Sequence, residues 1–335
     1  MFVLNHEIAG ITFKTDSDVE IAPLNSDAFK HFLTGYAEPD VYISVCGVGS
    51  DTLKLPPLTE SENEQIAQCL IPPFLGRGVQ TLPFTGLNAE TDNPGIKTQA
   101  NSVMDIPLLR APIVRDRLHS CLDHPDQVGL VLHVSSVVIR DHFRRRIDLF
   151  YPAEHGEVFR NPLLEHGFRR LFASFLPAFS AVMVHSSALV RSGKTALFIA
   201  PDEGGKTTAV RNSTGGTILG DDQIILRKNK DAVLAYGTPW GSLFSSKQTA
   251  EVRGLFILEK AKCFELIPLR SVDAVESFWK EHLFYRVFLP KDLRVKAFET
   301  VCDACSRAPV YRMRFPKGNI DWEAIDAAME DRLAA

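Results

Sequence analysis

The residues best suited to chemistry form a glycine-rich segment directly after an apolar run at residues 195–199. The segment is Ala200-Pro201-Asp202-Glu203-Gly204-Gly205-Lys206-Thr207-Thr208. It matches the phosphate-loop pattern G-x-x-x-x-G-K-[ST], with Ala200 in place of the first glycine. Backbone N–H groups of such a loop converge on phosphate oxygens, which requires glycine where a side chain would clash, at Gly205 and at Gly204. We predict that these nine residues bind the polyphosphate of a nucleotide.

Each part of such a loop has a residue here. Lys206 would reach the β and γ phosphates, Thr207 would place its hydroxyl on Mg²⁺, and a helix starting there would direct its positive end at the anion. ATP and Mg²⁺ are therefore the predicted cofactors. Asp202 and Glu203 oppose this, because two carboxylates repel a triphosphate unless they point outward or meet a cation. The alternative is a strand-to-helix turn in which Gly-Gly-Lys-Thr occurs by chance.

A pair of carboxylates follows shortly downstream. Asp221 and Asp222 come after a short apolar strand predicted at residues 217–219. Carboxylates at a strand end beside a phosphate site can hold Mg²⁺ or accept the proton of an attacking hydroxyl. We predict a catalytic role for the pair and a metal-binding role for Asp222. The alternative is that both acids cap a turn between two strands.

Three further residues are candidates for the same site. Glu251 could complete an Mg²⁺ shell, and Arg253 could neutralise the charge of a transferring phosphoryl group. The alternative for both is a charged turn leading into a strand at residues 255–258. His185 lies within an apolar run, where a histidine is either an active-site group or a core residue with satisfied hydrogen bonds.

The elements that must position these residues can be predicted from periodicity. Apolar runs at 182–190 and 195–200, joined by Arg191-Ser192-Gly193-Lys194, indicate a β-hairpin immediately before the loop. A helix is predicted before it at 162–175. Strands are predicted after it at 217–219, 223–227, 232–236, 255–259, 264–268 and 310–315, and helices at 272–284, at 291–306 and from 321. This order predicts an α/β domain with a mixed sheet.

The first half of the chain is richer in strands. Candidates at residues 11–21, 41–48, 128–140 and 147–151 contain β-branched or aromatic residues. Turn-forming residues near 151–156 mark a break, and a chain of 335 residues is long enough for about two domains. We predict a strand-rich region over 1–155, which would bind a substrate or partner, and a nucleotide-binding domain over 156–335.

The order of these features resembles a known family. His185, the hairpin, the phosphate loop and the Asp221-Asp222 pair follow one another as in the C-terminal catalytic domain of HPr kinase/phosphorylase, a bacterial protein serine kinase. That domain belongs to the same structural group as the phosphoenolpyruvate carboxykinases. Glu251-Val252-Arg253-Gly254-Leu255 resembles the family's E-[IV]-R-G-L signature. The resemblance covers residues 162–315, whereas residues 1–155 are more similar to upstream regions of uncharacterised HPr-kinase-like proteins.

The resemblance has implications for fold and site. It implies a carboxykinase-like mixed α+β fold whose phosphate loop follows an antiparallel hairpin. It also implies that His185 is close to the active site, that Glu251 sits near the metal and that Arg253 contributes to phosphoryl transfer. A hexamer is implied as well, and apolar strands at sheet edges are consistent with a homo-oligomer.

These observations predict an ATP- and Mg²⁺-dependent kinase that transfers the γ-phosphoryl group to a serine-type hydroxyl of a protein, peptide or small molecule. The alternative is an ATP-binding regulatory or scaffold protein without phosphoryl transfer, which Ala200 and the acidic loop pair favour. A carboxykinase-like enzyme acting on a small carboxylic acid ranks last, because the chain is short for it and we see no convincing metal-binding His and Lys set.

Composition excludes several other classes. With 37 Lys+Arg against 41 Asp+Glu, the formal net charge of -4 gives no general attraction to nucleic acid or an anionic membrane. The N-terminus lacks the pattern of a signal peptide, so we expect a cytoplasmic protein with reduced thiols.

The apolar stretch 172–190 contains Pro177, His185 and four serines, which predicts a buried helix running into a buried strand and not a membrane span. Cys302 and Cys305 form a lone C-x-x-C and are predicted to be core thiols on a helix.

Overall fold

The computed structural model describes residues 1–21, 24, 27–35, 38–69, 107–122, 128–133, 136–160, 165–213, 215–241, 243–279, 283, 289–316 and 320–330. These residues contain two mixed sheets with helices, which confirms the predicted mixed α/β class. The carboxykinase-like assignment is finer than this and stays a prediction.

The chain groups into two compact units. Unit 1 comprises Met1–His6, Thr12–Asn25 and Gly35–Leu171, and unit 2 comprises Glu7–Ile11, Ser26–Thr34 and Phe172–Ala335. The predicted domain boundary near residue 155 stays a prediction.

The first sheet has six strands in the order β1-β2-β3-β6-β5-β4. Parallel pairing joins β2, β3 and β6, and antiparallel pairing joins β6, β5 and β4. Its strands are β1 (Phe2–Ile8), β2 (Ile11–Ser17), β3 (Val41–Val48), β4 (Val128–His133), β5 (Ser136–Asp141) and β6 (Arg146–Pro152).

Two strand predictions in this sheet need correction. The single strand predicted over 128–140 is an antiparallel pair, β4 and β5, with His133 opposite Ser136. No glycine or proline separates the two strands, so the sequence carried no turn signal there. The strand predicted to reach residue 21 ends at Ser17, and β1 was missed.

Unit 1 also contains the helices α2 (Glu60–Cys69) and α3 (Pro112–Leu122). Buried Val114 and Leu118 of α3 share a core with Val137 and Ile139 of β5. Arg117 on the same helix forms ion pairs with the buried carboxylates of Asp141 and Asp148. The helix is therefore fixed to the sheet by both apolar contact and buried charge.

The second sheet has eight strands. Its order is β11-β10-β7-β8-β12-β14-β13, with β9 paired to β7 and β11 also paired to β12. Its strands are β7 (Ala181–Arg191), β8 (Lys194–Ile199), β9 (Thr217–Gly220), β10 (Gln223–Asn229), β11 (Ala232–Tyr236), β12 (Thr249–Lys260), β13 (Glu265–Pro268) and β14 (Val310–Phe315). Antiparallel β7 and β8 confirm the predicted hairpin. Because β8, β12 and β14 are parallel, their carboxyl ends lie at one edge of the sheet, where segment 200–208 begins.

Buried apolar clusters lie on both faces of this sheet. One contains Leu197 and Leu255 with the helix Lys291–Arg307, and the other contains Phe198 and Phe256 with the helices Lys206–Arg211 and Trp322–Glu330. The helices of the second half are α4 (Glu165–Phe175), α5 (Lys206–Arg211), α6 (Ser271–Ser277), α7 (Lys291–Arg307) and α8 (Trp322–Glu330), and a short α1 (Asp27–Lys30) belongs to unit 2. Residues 280–282 and 284 of the predicted helix 272–284 lie outside the described residues.

The stretch 172–190 behaves as predicted. Helix α4 ends at Phe175, a short 3-10 turn spans Leu176–Phe179, and β7 follows as a buried strand.

Cys305 is buried on α7 and Cys302 is half-buried there, which agrees with the predicted core thiols on a helix. None of the helices that the structure describes is both long and apolar enough to cross a membrane.

Candidate functional site

The segment 200–208 forms a tight turn from β8 into α5. Gly205 has a φ of 100°, and a Cβ there would lie 2.8 Å from the Phe315 ring. A Cβ at Gly204 would lie 2.4 Å from the Cβ of Ala200. The methyl group of Ala200, which replaces the first glycine of the pattern, is thus accommodated because the facing residue is glycine. Both glycines are required by close approach, as the sequence predicted for a phosphate loop.

Lys206 is folded into this turn. Its side chain is buried, with the residue 6% exposed, and its ammonium donates to the carbonyl oxygens of Ala200 at 3.0 Å and Pro201 at 2.9 Å. Burial lowers the pKa of Lys206, while the carboxylates of Asp222, Asp202 and Asp221 oppose that shift. The ammonium is thus held by two backbone carbonyls inside the turn, and the three nearby carboxylates favour its charged form.

Helix α5 contributes less than the sequence suggested. It spans only six residues, so its dipole is small. Ser187 Oγ donates to the carbonyl of Lys206 at 2.9 Å and fixes the start of the helix against β7. The loop amides and Lys206 are therefore the main positive groups of this turn.

His185 and Asp222 form a direct contact beside the loop. The Nε2 of His185 lies 2.9 Å from Asp222 Oδ1 and 3.1 Å from Asp202 Oδ1. The register of β7 and β10 produces this contact, because His185 stands opposite Gln223, the neighbour of Asp222. Gln223 Nε2 donates to the other oxygen of Asp222 at 2.9 Å. The Asp222 carboxylate is therefore held in one orientation.

The two adjacent aspartates occupy different environments. Asp221 is 1% exposed, and its Oδ1 accepts the backbone N–H groups of Leu243 at 3.2 Å and Phe244 at 3.3 Å. Asp222 has a side chain that is 30% exposed and contacts His185. Asp221 thus organises a neighbouring loop, whereas Asp222 is the more accessible of the two carboxylates. The sequence could not separate these two roles.

A cleft of about 240 Å³ joins these residues. Its walls are Asp202, Glu203, Gly204, Gly205, Lys206, Thr207, Thr208, Asp221 and Asp222. Carboxylate oxygens and the Thr207 hydroxyl are donors that suit Mg²⁺. One ligand atom from each of His185, Asp202 and Asp222 lies within 4.8 Å of the others, so this corner fits a divalent cation.

The structure does not bring Glu251 and Arg253 to this cleft. Both lie inside β12, and neither forms the turn considered as the alternative. Glu251 stands opposite Lys194, at the start of β8, whereas the loop follows Ile199 at its end. Five strand residues separate the two ends by about 16 Å. Arg253 lies in the adjacent bulge and pairs with Glu251 at 3.4 Å. Within one chain, the predicted metal role of Glu251 and catalytic role of Arg253 are not supported.

Sequence reasoning missed several contributors. Asp202 was predicted to bind nucleotide as part of the loop, but its contact with His185 was not foreseen, and Gln223 was not considered at all. A glutamine directly after the acid pair was the available signal for Gln223. The loop around Leu243 carried no signal, because only the fold brings it to Asp221.

Comparison with known proteins adds little to this geometry. No protein-family model matches the chain, and no curated protein matches it. One similar solved structure is the Hpr(Ser) kinase/phosphatase from Coxiella burnetii. It is 11% identical, the match covers 44% of this chain and 91% of that one, and the TM-score is 0.24. A likeness at that score supports no conclusion about fold or function.

Proposed function

We propose that this protein binds ATP at segment 200–208 and transfers its γ-phosphoryl group to a serine-type hydroxyl of a protein, peptide or small molecule. The observation that carries the proposal is the placement of a buried lysine, Lys206, and an oriented carboxylate, Asp222, at one cleft beside a glycine-dependent turn. Phosphoryl transfer needs a cationic cradle for the phosphates and a group that positions and deprotonates the acceptor. Lys206, the loop amides and a bound Mg²⁺ would form the cradle, and Asp222 would position and deprotonate the acceptor.

Each residue then has a specific task. The loop amides and Lys206 hold the phosphate oxygens. Asp222 accepts the proton of the acceptor hydroxyl as the oxygen attacks phosphorus, and His185 and Gln223 keep its carboxylate in place. Thr207 and Asp222 are the residues that would hold Mg²⁺, which supplies neutralisation of the phosphate charge when bound.

The charge around the cleft explains why a cation is needed. Its described lining contains the carboxylates of Asp202, Glu203, Asp221 and Asp222 against the single ammonium of Lys206. A free triphosphate would meet net repulsion there. We therefore expect nucleotide to bind as its Mg²⁺ complex and binding to weaken strongly when Mg²⁺ is removed.

A regulatory ATP-binding protein is the second candidate. The observation in its favour is that no arginine is among the described residues lining the cleft. Arginine often stabilises the charge of the phosphoryl-transfer transition state. This candidate predicts tight binding of MgATP, no turnover, and nucleotide affinity that is insensitive to loss of Asp222.

Incubation with γ-labelled ATP, Mg²⁺ and a panel of serine peptides tests the proposal. The wild type should label an acceptor, and Lys206→Ala should abolish labelling and weaken nucleotide binding. Lys194→Ala is a matched control, because Lys194 lies at the opposite end of β8 and pairs with Glu330. Labelling that survives Lys206→Ala would refute the assignment of the loop. Binding without any labelling would favour the regulatory candidate.

A further inference from the structure

Three side chains at one corner of the cleft are spaced as the ligands of one metal ion are. His185 Nε2 lies 2.9 Å from Asp222 Oδ1 and 3.1 Å from Asp202 Oδ1. Two ligands with metal bonds of about 2.1 Å are about 3.0 Å apart when they subtend a right angle at the ion, and about 3.4 Å apart at the tetrahedral angle. Both nitrogen–oxygen distances are therefore close to the spacing that a shared ion requires.

The spacing between the two carboxylates is looser. One oxygen of Asp202 and one oxygen of Asp222 lie within 4.8 Å of each other. The side chain of Asp202 is 91% exposed, so packing offers little resistance to a small rotation that closes this gap. A shared dication would also offset the repulsion between the two negative charges.

The other two ligands are held by the sheet. His185 belongs to β7 and Asp222 immediately precedes β10, and the register of these strands sets the two side by side. Gln223 Nε2 donates to Asp222 Oδ2 at 2.9 Å, which keeps Oδ1 on the side of His185. A partner behind a ligand strengthens a metal site, because it fixes the orientation of the ligand before the ion arrives. Only Asp202 would have to adjust.

The set of ligand atoms favours a transition metal over Mg²⁺. Mg²⁺ prefers oxygen ligands and keeps several of its waters, whereas imidazole nitrogen suits Zn²⁺, Co²⁺ and similar ions. One imidazole and two carboxylates also leave positions around the ion open to water. An ion bound to the Asp222 carboxylate would withdraw the electron pair that the proposed reaction uses to accept a proton.

We infer that His185, Asp202 and Asp222 form a binding site for a transition-metal cation such as Zn²⁺, which competes with Mg²⁺ at Asp222 and inhibits phosphoryl transfer. The metal site stands on the spacing of its three ligands. Its inhibitory effect rests on the proposed function.

Titration with Co²⁺ tests the site, because the visible absorption of this ion reports its coordination and needs no turnover. In excess Mg²⁺ and without nucleotide, the full chain should bind Co²⁺ here, and Zn²⁺ should displace it. His185→Gln can still donate to the carboxylates but lacks the imidazole. It should weaken Co²⁺ binding by about 100-fold or more, since even loss of an outer-shell partner typically costs about 10- to 100-fold. Asp202→Asn changes an exposed side chain, so the fold is not at risk, and it should weaken binding by about tenfold.

His119→Gln is the matched control. His119 Nε2 also lies 3.1 Å from a carboxylate oxygen, that of Glu62, but within the described part of the chain no second acid completes a group of three there. Loss of this histidine should therefore leave the Co²⁺ titration unchanged. Equal Co²⁺ affinity in the wild type and in His185→Gln would overturn the inference.

Transfer from MgATP to the serine peptides tests the inhibitory effect. Added Zn²⁺ should slow the wild type by at least about tenfold, because it takes the general base out of use, and a chelator should restore the rate. Asp202→Asn should need about tenfold more Zn²⁺ for the same loss. Equal sensitivity to Zn²⁺ in the two proteins, or Co²⁺ binding with no effect on transfer, would overturn the inhibitory role. Absence of transfer with Mg²⁺ alone would overturn the proposed function, and the Co²⁺ titration would still decide the metal site.

Discussion

Asp222 and Asp202 both contact His185, but we expect their substitution by asparagine to have very different consequences. Asp222→Asn keeps an oxygen that can accept from Gln223 and removes the group that takes the proton. Loss of a general base typically costs about 10²- to 10⁴-fold in rate, which is about 2.7–5.5 kcal/mol of transition-state stabilisation. Asp202 is almost fully exposed, so its contact with His185 is screened by water. Asp202→Asn should therefore change the rate by no more than about fivefold, or about 1 kcal/mol.

The assay is single-turnover transfer from γ-labelled ATP to the best acceptor peptide, with nucleotide affinity measured separately. Asp222→Asn removes both the proton acceptor and a candidate Mg²⁺ ligand, so we expect slower transfer together with weaker binding of MgATP, and the loss of affinity should shrink as Mg²⁺ is raised to saturation. Similar rate losses in the two variants would refute the assignment of Asp222 as proton acceptor. So would an Asp222→Asn variant that retains more than half of the wild-type rate.

Three further outcomes are expected. Burial lowers the pKa of Lys206 below 10.5, and a bound phosphate would raise it again, so ATP affinity should fall as pH rises through the lowered pKa and the lysine loses its charge. The side chain of the Lys206→Arg variant stays protonated, so binding titrations of that variant should not show this loss. Gly205→Ala combines a φ of 100° with a clash against Phe315 and should lower the free energy of unfolding in urea by about 2–5 kcal/mol. Gly193→Ala also has a positive φ, 75°, but a Cβ there meets open space, so it should lower the free energy of unfolding by only about 1 kcal/mol. Equal losses of stability in the two glycine variants would contradict the role of the clash with Phe315. Arg117→Met removes one cationic partner of the buried Asp141 and Asp148, which keep Arg144 and Arg146, and should lower the free energy of unfolding by about 1–3 kcal/mol. A loss of about 5 kcal/mol or more in the same measurement would show that the retained partners do not compensate.

The local conformation of segment 200–208 was predictable from sequence. The hairpin, the turn after β8 and the glycines at 204 and 205 follow from short-range backbone requirements, which neighbouring residues dictate. The same holds for the long periodic helix α7 and for the buried run from α4 into β7. These patterns concern contacts between residues close in sequence, so no knowledge of the sheet order is needed to recognise them.

Strand register decided the remainder of the site. The register places His185 beside Asp222, and it places Glu251 and Arg253 at the opposite end of β8 from the loop. No sequence motif predicts either arrangement. A shift of register or a change in strand order would alter these neighbours without altering the sequence signature. Likewise, Asp221 and Asp222 are the same residue type in adjacent positions, and only their burial and their hydrogen-bond partners distinguish them. The sequence by itself determined a tight glycine-dependent turn between a strand and a helix, whereas the tertiary structure decided which acids lie beside it, because those contacts join residues distant in the chain.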